Sequence, residues 1–142
     1  MWLNMATGNS FIFPGLVLSG GIAVFYVIAV LFGAPIFSQF YETMLWSTLM
    51  SSLIFIPCLT LLQWTPNEWT ETLLFIKSRY TMRQFYCAVN AIAVLTGSWI
   101  GAAVLLLDWD TQWKAWPIPC CIGSLLGGVV SLLIVIMRRL FW

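Results

Sequence analysis

The chain has 142 residues, 61% of them hydrophobic and only 8% charged, with a formal net charge of +1 and no histidine. An ordinary soluble domain carries about 25% charged residues. Six basic and five acidic side chains cannot cover the surface of a soluble fold of this length, so composition places the chain in a membrane and gives no reason to expect a nucleic-acid partner.

The charges are also clustered. Residues 1–41, 43–67, 84–107 and 115–137 contain none. A spanning helix needs about 20 apolar residues to cross a hydrocarbon core of roughly 30 Å, and a charge at its centre costs about 2.5–3.5 kcal/mol. Four charge-free windows therefore predict an all-α, polytopic transmembrane helix bundle. Its spans are expected at about 11–33, 44–63, 84–107 and 118–137, within a single membrane domain covering 1–142.

The first span has no basic residue ahead of it. Its apolar run exceeds the roughly 7–15 residues of a signal-peptide core, so it is read as retained. Gly15, Ser19 and Ala23 repeat at four-residue spacing along it, a small-residue row of the kind that lets helices approach in lipid. Between the second and third spans, Thr65-Pro66-Asn67-Glu68 reads as a capping box. Trp69, Leu73, Ile76 and Tyr80 then fall on one stripe, predicting a short helix in the headgroup plane beside Lys77, Arg79 and Arg83.

The third span carries Gly97-x-x-x-Gly101, and the fourth carries Gly123-x-x-x-Gly127 followed by Gly128. These rows are candidate helix-packing or partner contacts. With four spans, the N-terminus, the second connector and the C-terminal tail share one side. That side holds Lys77, Arg79, Arg83, Arg138 and Arg139, while the other holds only Lys114. The positive-inside rule then places both termini in the cytosol and the connector after the third span in the lumen or exterior.

That connector, Asp108 to Cys120, reads DWDTQWKAWPIPC. Asp108 and Asp110 are the only paired carboxylates facing that side. Two carboxylates make a poor cation site, because calcium takes six or more oxygens, so a solvated turn with Asp110 paired to Lys114 is the simpler reading. Trp109, Trp113 and Trp116 read as an interfacial aromatic belt that is also able to touch a partner.

Cys58 and Cys87 fall inside spans and act there as small hydrophobes. Cys120 and Cys121 lie near an interface, and unpaired structural cysteines are expected throughout, since no spacing resembles a zinc site. No histidine base, nucleophile elbow or phosphate loop is present, so no catalytic residue, cofactor or metal is assigned. The polar groups at depth are hydroxyls and Asn90, too few for a proton relay. The residues alone leave open a small lipid-modifying enzyme using Asp108 and Asp110, or a lipid transporter.

Residues Ser98–Gly123, SWIGAAVLLLDWDTQWKAWPIPCCIG, resemble the C-terminal signature of the phosphatidylinositol-glycan biosynthesis class F (PIG-F) family. That pattern is close to GAWLGA-x-x-IPLDW, then an acidic residue, spaced tryptophans, WPI and a cysteine. The matching positions are Gly101, Ala102, Leu107, Asp108, Trp109, Asp110, Trp113, Trp116, Pro117, Ile118, Cys120 and Gly123. A second block, Val30 to Pro35, matches the family's VLFGAP and is followed by Glu42-Thr43 and Pro57-Cys58-Leu59. The resemblance covers about 27–137. Leu105-Leu106 stand where the family has Ile-Pro, which removes a helix-bending proline. Family members are typically longer, with two further spans ahead of this region, and an even number leaves the orientation unchanged.

The resemblance implies a non-catalytic, multi-pass subunit of the endoplasmic reticulum membrane. Such proteins stabilise a membrane-embedded ethanolamine phosphate transferase of glycosylphosphatidylinositol (GPI) anchor synthesis. The catalytic partner transfers phosphoethanolamine to a GPI mannose. On this reading Gly97, Gly101, Gly123 and Gly127 pack helices, while Asp108, Trp109, Asp110, Trp113, Trp116 and Pro117 border the partner or a membrane lipid.

Overall fold

A computed structural model describes residues 12–34, 37–62, 66–74, 76, 79–107 and 115–141. Five helices follow in order: α1 Ile12–Leu31, α2 Phe40–Leu61, α3 Pro66–Leu73, α4 Met82–Leu106 and α5 Ile118–Phe141. No strand occurs among the described residues. α1, α2, α4 and α5 are each long and apolar enough to cross a membrane, as the charge-free windows predict. The ends differ by a few residues. α2 starts early enough to include Glu42 in its first turn, and α5 runs on through Arg138 and Arg139. A charge costs much less at a helix end, where its side chain reaches the interface.

Sequential helices pack antiparallel. Ser51 Oγ on α2 donates to the Leu18 carbonyl on α1 at 2.9 Å. Trp46 Nε1 on α2 donates to Ser98 Oγ on α4 at 3.1 Å. Toward the other end of the bundle, Asn90 Nδ2 on α4 reaches the Leu53 carbonyl on α2 at 2.7 Å.

The α4–α5 pairing is the tightest. A Cβ on Gly97 would collide with the Gly123 carbonyl, one on Gly101 with the Pro119 carbonyl, and one on Gly127 with the Ala93 carbonyl. Ala93, Gly97 and Gly101 thus form a row on α4 that meets Pro119, Gly123 and Gly127 on α5. Apolar surface gains little by leaving lipid tails, so backbone approach and the dispersion contact it allows hold such helices together.

α1 behaves differently. Gly15 has no atom near its missing side chain, and Ser19 and Ala23 are exposed. Gly21 makes the close contact instead. A Cβ there would meet the Phe55 ring and the Ser51 hydroxyl at 2.5 Å. The row Gly15-Ser19-Ala23 therefore does not pack within the bundle and stays exposed on α1, because four-residue spacing does not fix which row faces the neighbour.

α1 ends in a Schellman motif. The Ala34 N–H donates to the Ala29 carbonyl and the Gly33 N–H to the Val30 carbonyl, both at 3.0 Å. Gly33 has φ +99°, a backbone conformation that favours glycine. The Phe-Gly-Ala of the first family block is therefore a helix stop. α4 runs without a break through Leu105 and Leu106, where the family's proline is missing.

The short helix α3 ends at Leu73, so Ile76 and Tyr80 lie beyond it and the predicted stripe is cut in half. Trp69 and Leu73 pack on Cys58, Leu62 and Cys87, so α3 docks on the bundle. Thr65, the expected cap, lies outside the described residues. A capping glutamine was overlooked at the next helix: Gln84 Oε1 accepts from the Thr81 N–H at 3.1 Å, while its Nε2 donates to Glu68 Oε1 on α3 at 2.6 Å. Gln84→Ala removes both bonds, at an expected cost of about 1–2 kcal/mol. Hydrogen exchange should then quicken across Pro66–Leu73 and the first turn of α4, while the centre of α4 stays protected. Unchanged protection of α3 would count against this tie.

Candidate functional site

One end of the bundle, where α1 and α4 finish and α2 and α5 begin, collects the distinctive residues. Trp46, from the second turn of α2, stands at its centre. Phe25 meets it edge-on, with ring centroids 6.1 Å apart, and Trp116 lies against it at 5.7 Å. Trp116 Nε1 donates to Thr43 Oγ1 at 3.3 Å, and Thr43 Oγ1 donates in turn to the Gln39 carbonyl at 2.9 Å. Trp116, expected in an interfacial aromatic belt, is half-buried at this end and turns its N–H toward the bundle. A tryptophan with its N–H bonded to a buried hydroxyl serves the core as readily as an interface.

Beside this cluster lies a cavity of about 580 Å³. Phe25, Ala29 and Phe32 of α1 and its end form one wall, and Leu95, Ala102 and Leu106 of α4 the other. Met50 and Trp46 of α2 form the floor. The rings of Phe32 and Trp99 meet across the cleft, 5.9 Å apart. The two sequence blocks come together here. Phe32, Gly33 and Ala34 from the first, and Leu105, Trp116 and Cys120 from the second, all line this one space.

Pro117 is buried, and the Trp116–Pro117 peptide is cis. Asp108, Trp109, Asp110 and Trp113 lie outside the described residues, between Leu107 and Ala115. Gly97, Gly101, Gly123 and Gly127 lie on the α4–α5 seam, with Gly101 opposite Pro119 near the cavity. Cys58, Cys87, Cys120 and Cys121 are free thiols, the first three buried. Among the described residues, no group of three or more histidine, cysteine or acidic side chains is placed to hold a metal.

The sequence matches the GPI biosynthesis protein family Pig-F over residues 6–136. The chain belongs to the Pig-F family. Among curated relatives, the human "GPI ethanolamine phosphate transferase, stabilizing subunit" is 34% identical over 111 residues, covering 78% of this chain and 50% of that protein. The "Glycosylphosphatidylinositol anchor biosynthesis protein 11" of Candida albicans is 34% identical over 125 residues, covering 87% of this chain and 45% of that one. A Schizosaccharomyces pombe relative, a "PIGF/3-ketodihydrosphingosine reductase fusion protein", is 30% identical over 110 residues, covering 78% of this chain and 22% of its own length. The chain therefore spans about half the length of the human and Candida relatives. No solved structure matches.

Within this Pig-F chain, the sequence marks Asn90 as a polar group at depth but not the partners it meets. Pro57 sits inside α2 and has no N–H to give the Leu53 carbonyl four residues earlier. Asn90 supplies the missing donor from α4, at 2.7 Å, while its Oδ1 accepts from Ser131 Oγ on α5 at 2.9 Å. Asn90 is buried and ties three helices together. The hydroxyls at depth are engaged in the same way: Ser47, Thr48, Thr60, Thr96 and Ser124 each donate to a carbonyl of their own helix. These polar groups serve the bundle's internal bonding, which weakens the case for a water-lined transport path built from them.

Proposed function

We propose that the chain is a non-catalytic stabilising subunit of an ethanolamine phosphate transferase in GPI-anchor biosynthesis. The observation that carries this reading is its Pig-F membership over residues 6–136, joined to the human relative's designation as a stabilising subunit. The proposed partner is a membrane-embedded catalytic subunit that moves phosphoethanolamine onto a GPI mannose. The proposed location is the endoplasmic reticulum membrane, with both termini cytosolic. The basic residues favour that orientation, because Arg83, Arg138 and Arg139 lie at one end of the bundle and the positive-inside rule assigns such an end to the cytosol.

The physical role fits a membrane scaffold. The described serine, threonine and asparagine side chains in the spans are held by internal hydrogen bonds, and the close glycine contacts fix helix against helix. Asp108, Trp109, Asp110 and Trp113 are proposed to border the partner at the end where the two family blocks meet.

The test is expression in cells that lack their class F protein. The chain is expected to restore GPI-anchored markers at the surface, to raise the abundance of the transferase and to co-purify with it. Purified alone, it is expected to transfer no phosphoethanolamine. Markers that stay absent although the chain reaches the membrane, or transfer by the chain alone, would overturn the reading.

A further inference from the structure

We propose that the cavity between α1 and α4 binds one acyl chain of a membrane glycerophospholipid, with Gln39 at its mouth donating to the lipid's ester carbonyl. The inference does not depend on the transferase reading.

Size selects the occupant. The cavity holds about 580 Å³, within the roughly 300–1,000 Å³ typical of small-ligand sites. A helix with its side chains is roughly 10–12 Å across, so one crossing a roughly 30 Å core displaces on the order of 2,500 Å³. A transmembrane helix of a partner cannot enter, and one side chain from such a helix would leave most of the space empty. Length gives the same answer. The α4 wall runs from Leu95 to Leu106, which at about 1.5 Å per residue is ~16 Å. That is about half of a hydrocarbon core of roughly 30 Å, the depth of a single leaflet.

The setting decides the chemistry. α1 and α4 are both spans, and the residues beside the cleft on their outer faces, such as Val24 and Ile100, are exposed. The cleft therefore opens toward lipid. Left empty, its walls would lose dispersion contacts, and apolar walls do not hold water. The chain that fills it comes from the leaflet at the Gly33–Gln39 end, opposite Arg138 and Arg139.

The mouth supplies the polar contact. Gln39 immediately precedes α2 and lines the cavity. It is half-buried, and its side-chain amide makes no hydrogen bond to any described residue. Its neighbours are already engaged, since Trp116 donates to Thr43 and Thr43 to the Gln39 backbone. An amide donor that no described residue engages, at the level where a span begins, suits a neutral ester carbonyl. None of the described residues lining the cavity is charged, so the described walls grip the chain and ester and leave the headgroup outside.

The experiment reconstitutes the whole chain in phosphatidylcholine vesicles. These contain a trace of a phosphatidylcholine carrying a photoactivatable diazirine on its acyl chain. Adducts are mapped by mass spectrometry. The expected result is preferential labelling of Leu95–Leu106 and Phe25–Phe32 over the outer face of α5 at Leu132 and Leu133. Ala102→Trp fills the cavity and should abolish the preference, and the milder Ala102→Leu should reduce it. Labelling at Leu132 and Leu133 must stay unchanged in both, which reports that the bundle is intact. Gln39→Leu should lower the preference roughly threefold or more for the diester lipid, the scale of one hydrogen bond. It should have no effect on an ether-linked analogue, which has no carbonyl. Labelling no stronger than on α5, or insensitive to Ala102→Leu and Ala102→Trp, overturns the proposal. Displacement of the label by added cholesterol would assign the cavity to a sterol and overturn it as well.

Discussion

Replacing Gly101 and Gly127 together by leucine is expected to force α4 and α5 apart and to lower the stability of the bundle by several kcal/mol. Overpacking a well-packed site costs about 1–3 kcal/mol. Here the collisions are with backbone, which cannot rotate aside as a side chain can: a Cβ on Gly101 meets Pro119, with its carbonyl carbon at 2.7 Å, and one on Gly127 meets Ala93, with its carbonyl carbon at 2.6 Å. The two positions lie at different levels of the seam, so their effects should nearly add. Gly128 and Gly20 are the controls. Gly128 has only Val94 Cγ2 at 3.9 Å, and Gly20 has nothing near, so leucine at either should cost little and gains helix propensity. Unfolding in detergent, followed by helical circular dichroism, reads the difference. Equal midpoints for Gly127→Leu and Gly128→Leu would contradict the seam. In cells lacking the class F protein, the double variant should also lower the abundance of the proposed partner transferase, because a separated α4–α5 pair presents no fixed surface to a partner.

The four spans were legible because one rule governs them. A charge at depth is costly, so the charge-free windows mark the spanning helices to within a few residues. The α4 and α5 glycine rows were visible as well, but spacing did not show which row on α1 packs inside the bundle. Gly15, Ser19 and Ala23 share the spacing of a packing row, yet Gly21 makes the contact. Lipid-facing and protein-facing sides of a span are equally apolar, so hydrophobic periodicity, which orients soluble helices, is silent here. The contacts of Trp116 with Trp46 and Thr43 were not legible for a related reason, because an indole with one apolar body and one N–H suits the interface and the core alike. The Leu53–Asn90 bond joins residues 37 apart and has no local signature. Its one available clue was Pro57, which leaves a carbonyl four residues earlier in need of a donor. The cavity, formed where two distant blocks meet, depends on how α1 and α4 splay and could not be read from either block alone.

That proline makes the second prediction sharp. Asn90→Leu is expected to cost about 1–3 kcal/mol. Leucine fills similar volume, so the loss is one of hydrogen bonding. It falls on one atom, because Ser131 Oγ keeps its bond to the Gly128 carbonyl at 2.7 Å, while the Leu53 carbonyl has neither Pro57 nor Asn90 to donate to it. Interhelical hydrogen bonds in membranes average only about 0.6 kcal/mol, with a maximum of about 1.7, because an unfolded chain in lipid finds other partners. This one should lie toward the upper end, since the helix itself cannot replace it. Pro57→Ala restores an N–H at that position, and the Leu53 carbonyl can then close its ordinary helical bond. In that background Asn90→Leu should cost about 1 kcal/mol less than in the natural chain, a coupling within the range found for residues sharing a bond. A double-mutant cycle of unfolding free energies measures it. Equal costs in the two backgrounds would mean that Asn90 acts by packing or through Ser131, and that the proline-orphaned carbonyl is satisfied elsewhere. The predicted coupling would instead identify Asn90 as the residue that lets α2 carry a proline at membrane depth, holding α2, α4 and α5 in the arrangement on which the cavity end is built.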